Sequence, residues 1–323
     1  MGQSMRTKFS IAKTGVLRAL ICLIISSNSY GFDEKIFNQI NDFFKKVNSD
    51  LFLDKKDIID FNQQKINSGF ITQKHQINIP YFIFNAQKLT NDYVFYIGGI
   101  HADEFTPLYF SINYLYELIH LDLSLLEKNI IYIPILDIDG FIDGILDRNY
   151  PYRHNGMGKD LNRNFYAFDE LPHFKSSPEN ELVISLIKKY SPKFWIIPHS
   201  SINILDFDGL VDETSTKWLQ DVHDATTISG GDAIPIQDFR DYAPQESKTN
   251  WSIGKLANHL GNIYSLTYEF SGPGKYPEPN APNRDEIIIK RKQLGRFEDT
   301  AWYAEIYFNQ YKKSMDTALF INE

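Results

Sequence analysis

The sequence predicts an α/β fold in which a mixed, mostly parallel central sheet carries helices on both faces. Short apolar runs, rich in β-branched and aromatic residues, end in glycine or polar residues, which is typical of buried strands. Between these runs lie longer segments whose apolar residues recur at helical spacing, and such alternation of strands and helices favours a sheet flanked by helices. The length of 323 residues suits one large domain or two small ones.

The first 31 residues are expected to be a cleavable signal peptide. Four basic residues and no acids precede the apolar residues 19–25, and small and polar residues lead to Gly31. An uncleaved membrane anchor is the alternative, but the apolar run is too short to span a bilayer. We therefore expect a periplasmic or secreted protein, and no later apolar stretch is long enough for a transmembrane helix.

Cysteine and charge exclude several classes of function. The single cysteine, Cys22, lies in the expected signal peptide, so the mature chain would have neither disulfides nor thiolate metal ligands. The formal net charge is −8, and loss of the leader, which contains basic but no acidic residues, makes the mature chain more negative. Without a basic run, nucleic-acid binding is not expected. Any bound metal ion must therefore be held by histidine and carboxylate side chains.

The elements follow in chain order. Residues 33–47 place Ile36, Ile40, Phe43, Phe44 and Val47 on one face of a helix. Strands are predicted at residues 76–85, Tyr93–Ile97, 129–136, 193–199 and 264–270. Helices are predicted at residues 106–121, 177–190 and 285–311. Residues 137–140 are predicted to form a turn, and residues 206–245 loops with a short helix at 215–223. We expect residues 32–88 to form a helix and strand segment, an extra layer or a propeptide-like cover, that packs on a main domain of residues 89–323.

The strand Tyr93–Ile97 ends in two glycines, and His101 and Glu104 follow at once. Open α/β sheets place their ligands at the carboxyl ends of such strands. In the first turn of a helix, residues three apart share a face, so an imidazole and a carboxylate can point at one ion. The pair suits zinc, with a third ligand from elsewhere in the chain. The alternative is an ordinary pair on a helix surface.

Two later strands offer the missing chemistry. His199 ends the predicted strand 193–199 after an apolar run, which is more often the place of a structural histidine. Together with His101 and Glu104 it would complete a catalytic zinc set with one open position. Glu269 lies between Tyr268 and Phe270, where a carboxylate is costly unless it is paired or functional. Beside a zinc-bound water, Glu269 would act as general base and then as general acid.

The run DLNRNF at residues 160–165 lies in a polar segment. Asn162 and Arg163 offer an amide and a guanidinium group, which are well suited to holding a carboxylate. Arg153, upstream, could stabilise the oxyanion that forms when water attacks a carbonyl. Surface ion pairs are the alternative for each arginine.

These motifs, taken together and in this order, resemble the carboxypeptidase A-like zinc metallocarboxypeptidase family. The resemblance covers about residues 93–270 and implies that family's fold. It implies His101, Glu104 and His199 as zinc ligands, Glu269 as the catalytic carboxylate, and Arg153 as the transition-state arginine. Further candidates for substrate binding are Asn162 and Arg163 as a clamp on the terminal carboxylate, Tyr242 as a mobile tyrosine, and Ser200 beside His199.

Two departures place the chain nearer the family's bacterial murein-peptide branch, or the acylase branch typified by aspartoacylase. Asp103 stands where the digestive enzymes have an arginine, and the span from Glu104 to His199 is shorter. With the signal peptide, this predicts zinc-dependent removal of a terminal residue, such as diaminopimelate, from peptidoglycan stem peptides. A zinc acylase of N-acyl amino acids and a non-catalytic peptidoglycan-peptide binding protein are the alternatives.

Overall fold

The computed structural model describes residues 65–146, 153–228, 236–237, 248–271, 308 and 311–322. The expected signal peptide and the helix predicted at residues 33–47 lie outside these ranges, as does most of the helix predicted at 285–311. Among the described residues, no helix combines the length and the apolar character that crossing a bilayer requires.

Nine strands and five helices have defined bounds in the described part of the chain. The strands are β1 (Lys65–Ile71), β2 (Asn78–Phe84), β3 (Tyr93–Ile97), β4 (Asn129–Ile133), β5 (Phe165–Tyr166), β6 (Phe194–Gly209), β7 (Ile236–Gln237), β8 (Thr249–Trp251) and β9 (Tyr264–Ser271). The helices are α1 (Phe105–Ile119), α2 (Ile138–Leu146), α3 (Pro178–Tyr190), α4 (Glu213–Ile228) and α5 (Ile253–Leu260). A further helical stretch covers residues 311–318.

The central sheet is mixed, and its strand order is β1-β2-β4-β3-β6-β7, with β9 paired to β6. β3 runs parallel to β4 and to β6, whereas β1 and β2 pair in antiparallel fashion. The first half of β6 pairs along β9 from Phe194 opposite Tyr264 to Ser201 opposite Ser271. The partners then run in reverse order, from Ile202 opposite Ser271 to Gly209 opposite Tyr264. β6 therefore folds around β9.

Helices pack on both faces of this sheet, as the sequence predicts. Tyr96 and Tyr132 are register partners that stack at 4.2 Å, and both hydroxyls bond to Ser111 of α1. Tyr93 points to the opposite face, because side chains alternate along a strand, and there it meets Tyr190 of α3 at 5.2 Å. The stacked, fully hydrogen-bonded tyrosines stabilise the α1 side of the core.

The predicted core strands are present, with shifted bounds. β2, β3, β4 and β9 match their predictions to within a few residues, and β6 continues ten residues past the predicted end at residue 199. Residues 65–84 form two strands of the central sheet itself. The stretch 206–228, expected as loops with a short helix, instead contains the end of β6 and the 16-residue helix α4.

The prediction of a turn at residues 137–140 is wrong, because helix α2 begins at Ile138. The glycine suggested a turn, but at position 140 it instead allows the helix backbone to lie close to a buried side chain. A Cβ at Gly140 would lie 2.3 Å from Oδ2 of Asp137, a fully buried carboxyl whose Oδ1 accepts the Gly140 N–H at 2.9 Å. Buried Phe141 and Ile142 then hold the helix against the core.

Candidate active site

Two glycines bring His101 to the carboxyl edge of the sheet. A Cβ at Gly98 would lie 2.6 Å from the carbonyl oxygen of Pro134, and Gly99 has φ +59°, a conformation that favours glycine. The chain therefore passes close to the segment after β4 and turns towards the site. His101 and Glu104 meet across a turn closed by the Glu104 N–H on the His101 carbonyl at 3.3 Å. Glu104 is the N-cap of α1, so the pair lies just before the helix rather than in its first turn as predicted.

Glu104 lies between the two histidines. Its Oε1 is 2.8 Å from Nδ1 of His101, and its Oε2 is 2.9 Å from Nδ1 of His199. The three residues offer ligand atoms that all lie within 4.8 Å of one another. Both histidines are buried, at 2% and 3% exposure, so the cluster is held by the fold and not by solvent-exposed side chains.

Strand pairing places Glu269 beside His199. The two residues are register partners on the parallel parts of β6 and β9, so their side chains project from the same face about 4.8 Å apart at the backbone. Glu269 is half-buried. The geometry thus brings the predicted general base next to the predicted metal ligands.

Opposite charges set the protonation of the cluster. Burial alone would lower the pKa of His101, but its hydrogen bonds to Asp160 and Glu104 raise it to about 9. Burial alone would raise the pKa of Glu104, but the charge of His199 and the hydrogen bond to His101 hold it well below its ordinary value. A metal that binds through Nδ1 of His101 must compete with the proton that these bonds favour.

Asp160 is a site residue that the sequence reasoning missed. Its Oδ1 lies 2.9 Å from Nε2 of His101, the nitrogen that points away from Glu104. A histidine that binds a metal through one nitrogen almost always donates the other N–H to a carboxylate, carbonyl or water. The acid that opens the DLNRNF run was the available signal. Asn162, two residues on, places Nδ2 3.3 Å from Nε2 of His199 and accepts the Ile253 N–H at 3.0 Å.

The remaining predicted residues divide into those near the cluster and those elsewhere. Arg153 contacts both Glu104 and Asp160, at 3.3 and 3.2 Å, and its side chain is 41% exposed. Ser200 donates its backbone N–H to Oε2 of Glu104 at 3.1 Å. Arg163 is exposed and donates to the Asn162 carbonyl at 2.6 Å. Tyr242 lies outside the described residues.

The residues present fit a zinc ion. Two imidazoles and one carboxylate are a catalytic zinc donor set, and tetrahedral bonds of about 2.0 Å place ligand atoms about 3.3 Å apart. The 4.8 Å limit on the observed ligand atoms allows that geometry with small side-chain movements. Both Nδ1 atoms face the shared carboxylate, while the two Nε2 atoms have partners of their own in Asp160 and Asn162.

Comparisons with known proteins agree with this geometry. The family model described as zinc carboxypeptidase matches residues 5–191, more than half of the chain. No curated protein sequence matches significantly. His199 and Glu269 lie beyond the matched range, so their assignment to the site rests on the fold.

Solved structures share the fold at low sequence identity. Carboxypeptidase A from Helicoverpa armigera is 14% identical with a TM-score of 0.57, and the alignment covers 80% of this chain and 69% of that one. A metallo-carboxypeptidase from Burkholderia cenocepacia is 15% identical with a TM-score of 0.52. The alignment covers 78% of this chain and 64% of that one, so this chain spans under two thirds of that protein. Bovine thrombin-activatable fibrinolysis inhibitor is 16% identical with a TM-score of 0.53, and the alignment covers 90% of this chain and 97% of that one.

The metal-ligand cluster, the mixed sheet that positions it and the family match lead to one conclusion: the chain belongs to the zinc carboxypeptidase family.

Proposed function

We propose that the protein is a zinc-dependent carboxypeptidase that hydrolyses the C-terminal amide bond of peptidoglycan stem peptides. It would release a terminal residue, such as diaminopimelate, from the tripeptide. The observation that carries the enzymatic part is the convergence of His101, Glu104 and His199, with Glu269 on the neighbouring strand. A binding protein would not need a carboxylate held next to a three-ligand metal set.

The chain supplies each group that amide hydrolysis requires. Bound zinc would lower the pKa of a water molecule and polarise the substrate carbonyl. Glu269 accepts the proton from the attacking water as the carbon–oxygen bond forms. It then returns that proton to the leaving nitrogen as the carbon–nitrogen bond breaks.

Charged side chains beside the cluster would position the substrate. The guanidinium group of Arg153 is partly exposed beside Glu104, where it can stabilise the developing oxyanion. Asn162 and Arg163, on one turn next to His199, can hold the terminal carboxylate so that the last amide bond meets the metal.

The proposed substrate rests on location and chemistry. The signal peptide expected at residues 1–31 supports export to the periplasm or beyond. Peptidoglycan stem peptides are the common short peptides with free carboxyl ends in that compartment. A clamp for a terminal carboxylate and a metal-assisted amide hydrolysis match that substrate class.

Digestion of purified muropeptides, followed by mass spectrometry, tests the proposal. Stem tripeptides should lose their terminal residue, chelation should stop the reaction, and zinc should restore it. The matched control is the same tripeptide with its terminal carboxyl amidated, which should resist cleavage because the clamp lacks its ligand. Trimming of ordinary peptides alone would refute the substrate, and hydrolysis of N-acyl amino acids alone would identify an acylase. Binding without hydrolysis would refute the enzymatic assignment.

A further inference from the structure

The loop at residues 153–160 carries two side chains of the site, one at each end. Arg153 contacts Glu104 and Asp160, and Asp160 contacts His101. Between them the chain has no regular secondary structure, includes two glycines, and exposes 45% of Met157. Such a segment holds its ends in place only where specific bonds offset the conformational entropy it loses.

Asn155 supplies those bonds from inside the loop. Its Oδ1 accepts the backbone N–H groups of Met157 at 3.1 Å and Lys159 at 3.0 Å. Its own backbone donates to the Lys159 carbonyl at 2.9 Å and accepts from Gly158 at 2.8 Å. Asn155 is only 4% exposed, so these bonds are shielded from competing water.

One donor of Asn155 remains, and it reaches another element. Nδ2 donates to Oε2 of Glu179 at 3.1 Å, and Glu179 is fully buried in the first turn of α3. The next residue of that turn, Asn180, donates to the Leu161 carbonyl at 2.9 Å, directly after Asp160. The start of α3 therefore fixes the segment on both sides of Asp160.

We propose that Asn155 and Glu179 are positioning residues that set the placement of Arg153 and Asp160, and through them the metal affinity and the turnover of the site. Neither residue contacts the ligand cluster itself in the bonds described above. The pair acts through the loop. A displacement of the loop ends would move Asp160 away from His101 and the guanidinium group of Arg153 away from Glu104. The effect on turnover rests on the proposed function, whereas the effect on zinc affinity does not.

Exchanging the amide and carboxylate groups between the two positions tests this coupling. Asn155→Asp keeps the acceptor for the loop N–H groups but removes the amide N–H that Oε2 of Glu179 accepts. Zinc affinity, measured by competition with a chelator, should fall by up to about 10- to 100-fold, the loss expected when Asp160, the direct partner of His101, is displaced. The kcat value should fall more than KM rises. The double variant Asn155→Asp/Glu179→Gln rebuilds an amide–carboxylate bond of opposite polarity and should recover most of both losses.

Glu181→Gln is the matched control. Glu181 lies in the same turn of α3 and accepts from Ser176 and Tyr166, outside the loop. Its loss can lower thermal stability but should leave zinc affinity and kcat unchanged. If Asn155→Asp does not fold, Glu179→Ala provides the same test, because Asn155 then keeps its loop bonds and loses only the bond to α3.

Two results would overturn the proposal. One is a folded Asn155→Asp protein, or its replacement Glu179→Ala, with the zinc affinity and kcat of the parent. The other is a double variant that recovers stability without recovering zinc affinity. Because zinc affinity needs no substrate, these results stay separate from a failure of the proposed hydrolysis.

Discussion

Glu269 is the residue on which turnover should depend while metal binding does not. It lies one strand away from His199 and outside the three-residue ligand cluster. Glu269→Gln keeps the shape of the side chain but removes the base, so kcat should fall about 10²- to 10⁴-fold. Zinc content, measured on the purified protein, should equal that of the parent.

Glu104→Gln serves as the contrast for that experiment. Glu104 is a proposed ligand, and replacing its carboxylate by an amide should lower zinc content and turnover together. If Glu269→Gln kept near-normal turnover, or lost its zinc as Glu104→Gln does, the assignment of Glu269 as the proton carrier would be incorrect.

The sequence located the residues that the fold brings together better than it located their hydrogen-bond partners. His101, Glu104 and His199 follow apolar strands, and a fold that aligns the strand ends brings them together. Asp160 was missed because its role depends on which nitrogen of His101 faces the ligand cluster, 59 residues away in the chain. Ring orientation follows from packing, which no spacing in the sequence encodes.

At the scale of elements, a cluster of charged and polar side chains joins the turn after β1 to helix α2. Asp143 of α2 accepts from Lys74 at 2.6 Å and lies 3.0 Å from Nε2 of His75. Burial alone would raise the pKa of Asp143, but these bonds lower it below the usual value. A carboxyl with a lowered pKa stabilises the fold above its unfolded pKa, and that contribution is lost as the pH falls through the folded value.

Asp143→Asn should therefore cost stability at neutral pH and little in acid. The expected loss at pH 7 is about 1 kcal/mol, since Lys74 is half-exposed and solvent screens part of the interaction. Urea unfolding of the metal-free proteins should show the difference from the parent narrowing as the pH falls below about 4. Glu117→Gln, at an exposed position of α1, should change little at either pH. A loss that stays constant across this range would contradict the charge-based explanation.

Elements with one strong local signal were predicted, and those that depend on tertiary contacts were not. Apolar runs bounded by glycine located β3 and β4, and Ser177 followed by Pro178 located α3. β5 and β8 have two and three residues and form a small sheet of their own, so they carry no periodic pattern. The polar stretch 206–245 suggested loops. The end of β6 forms there because it pairs back along β9, and no local sequence pattern encodes that pairing.

At the scale of the whole molecule, the metal site joins parts of the chain that only the fold brings together. Glu104 precedes α1, and His199 lies 95 residues later in β6. The unfolded chain does not hold these ligands in place, so zinc should bind the native state and stabilise it. The stabilisation is about 2.7 kcal/mol when free zinc exceeds the dissociation constant 100-fold.

Thermal unfolding with and without zinc measures this linkage. Chelation should lower Tm by several degrees, and added zinc should restore it in proportion to the logarithm of its free concentration. His199→Ala should unfold at one temperature whether zinc is present or not, because the cluster loses a ligand that spans the two parts of the chain. His259→Ala is the matched control, since His259 pairs with Asp169 on the surface and should leave the zinc-dependent shift intact. An equal zinc-dependent shift in His199→Ala would place the stabilising ion somewhere other than the cluster on which the proposed function depends.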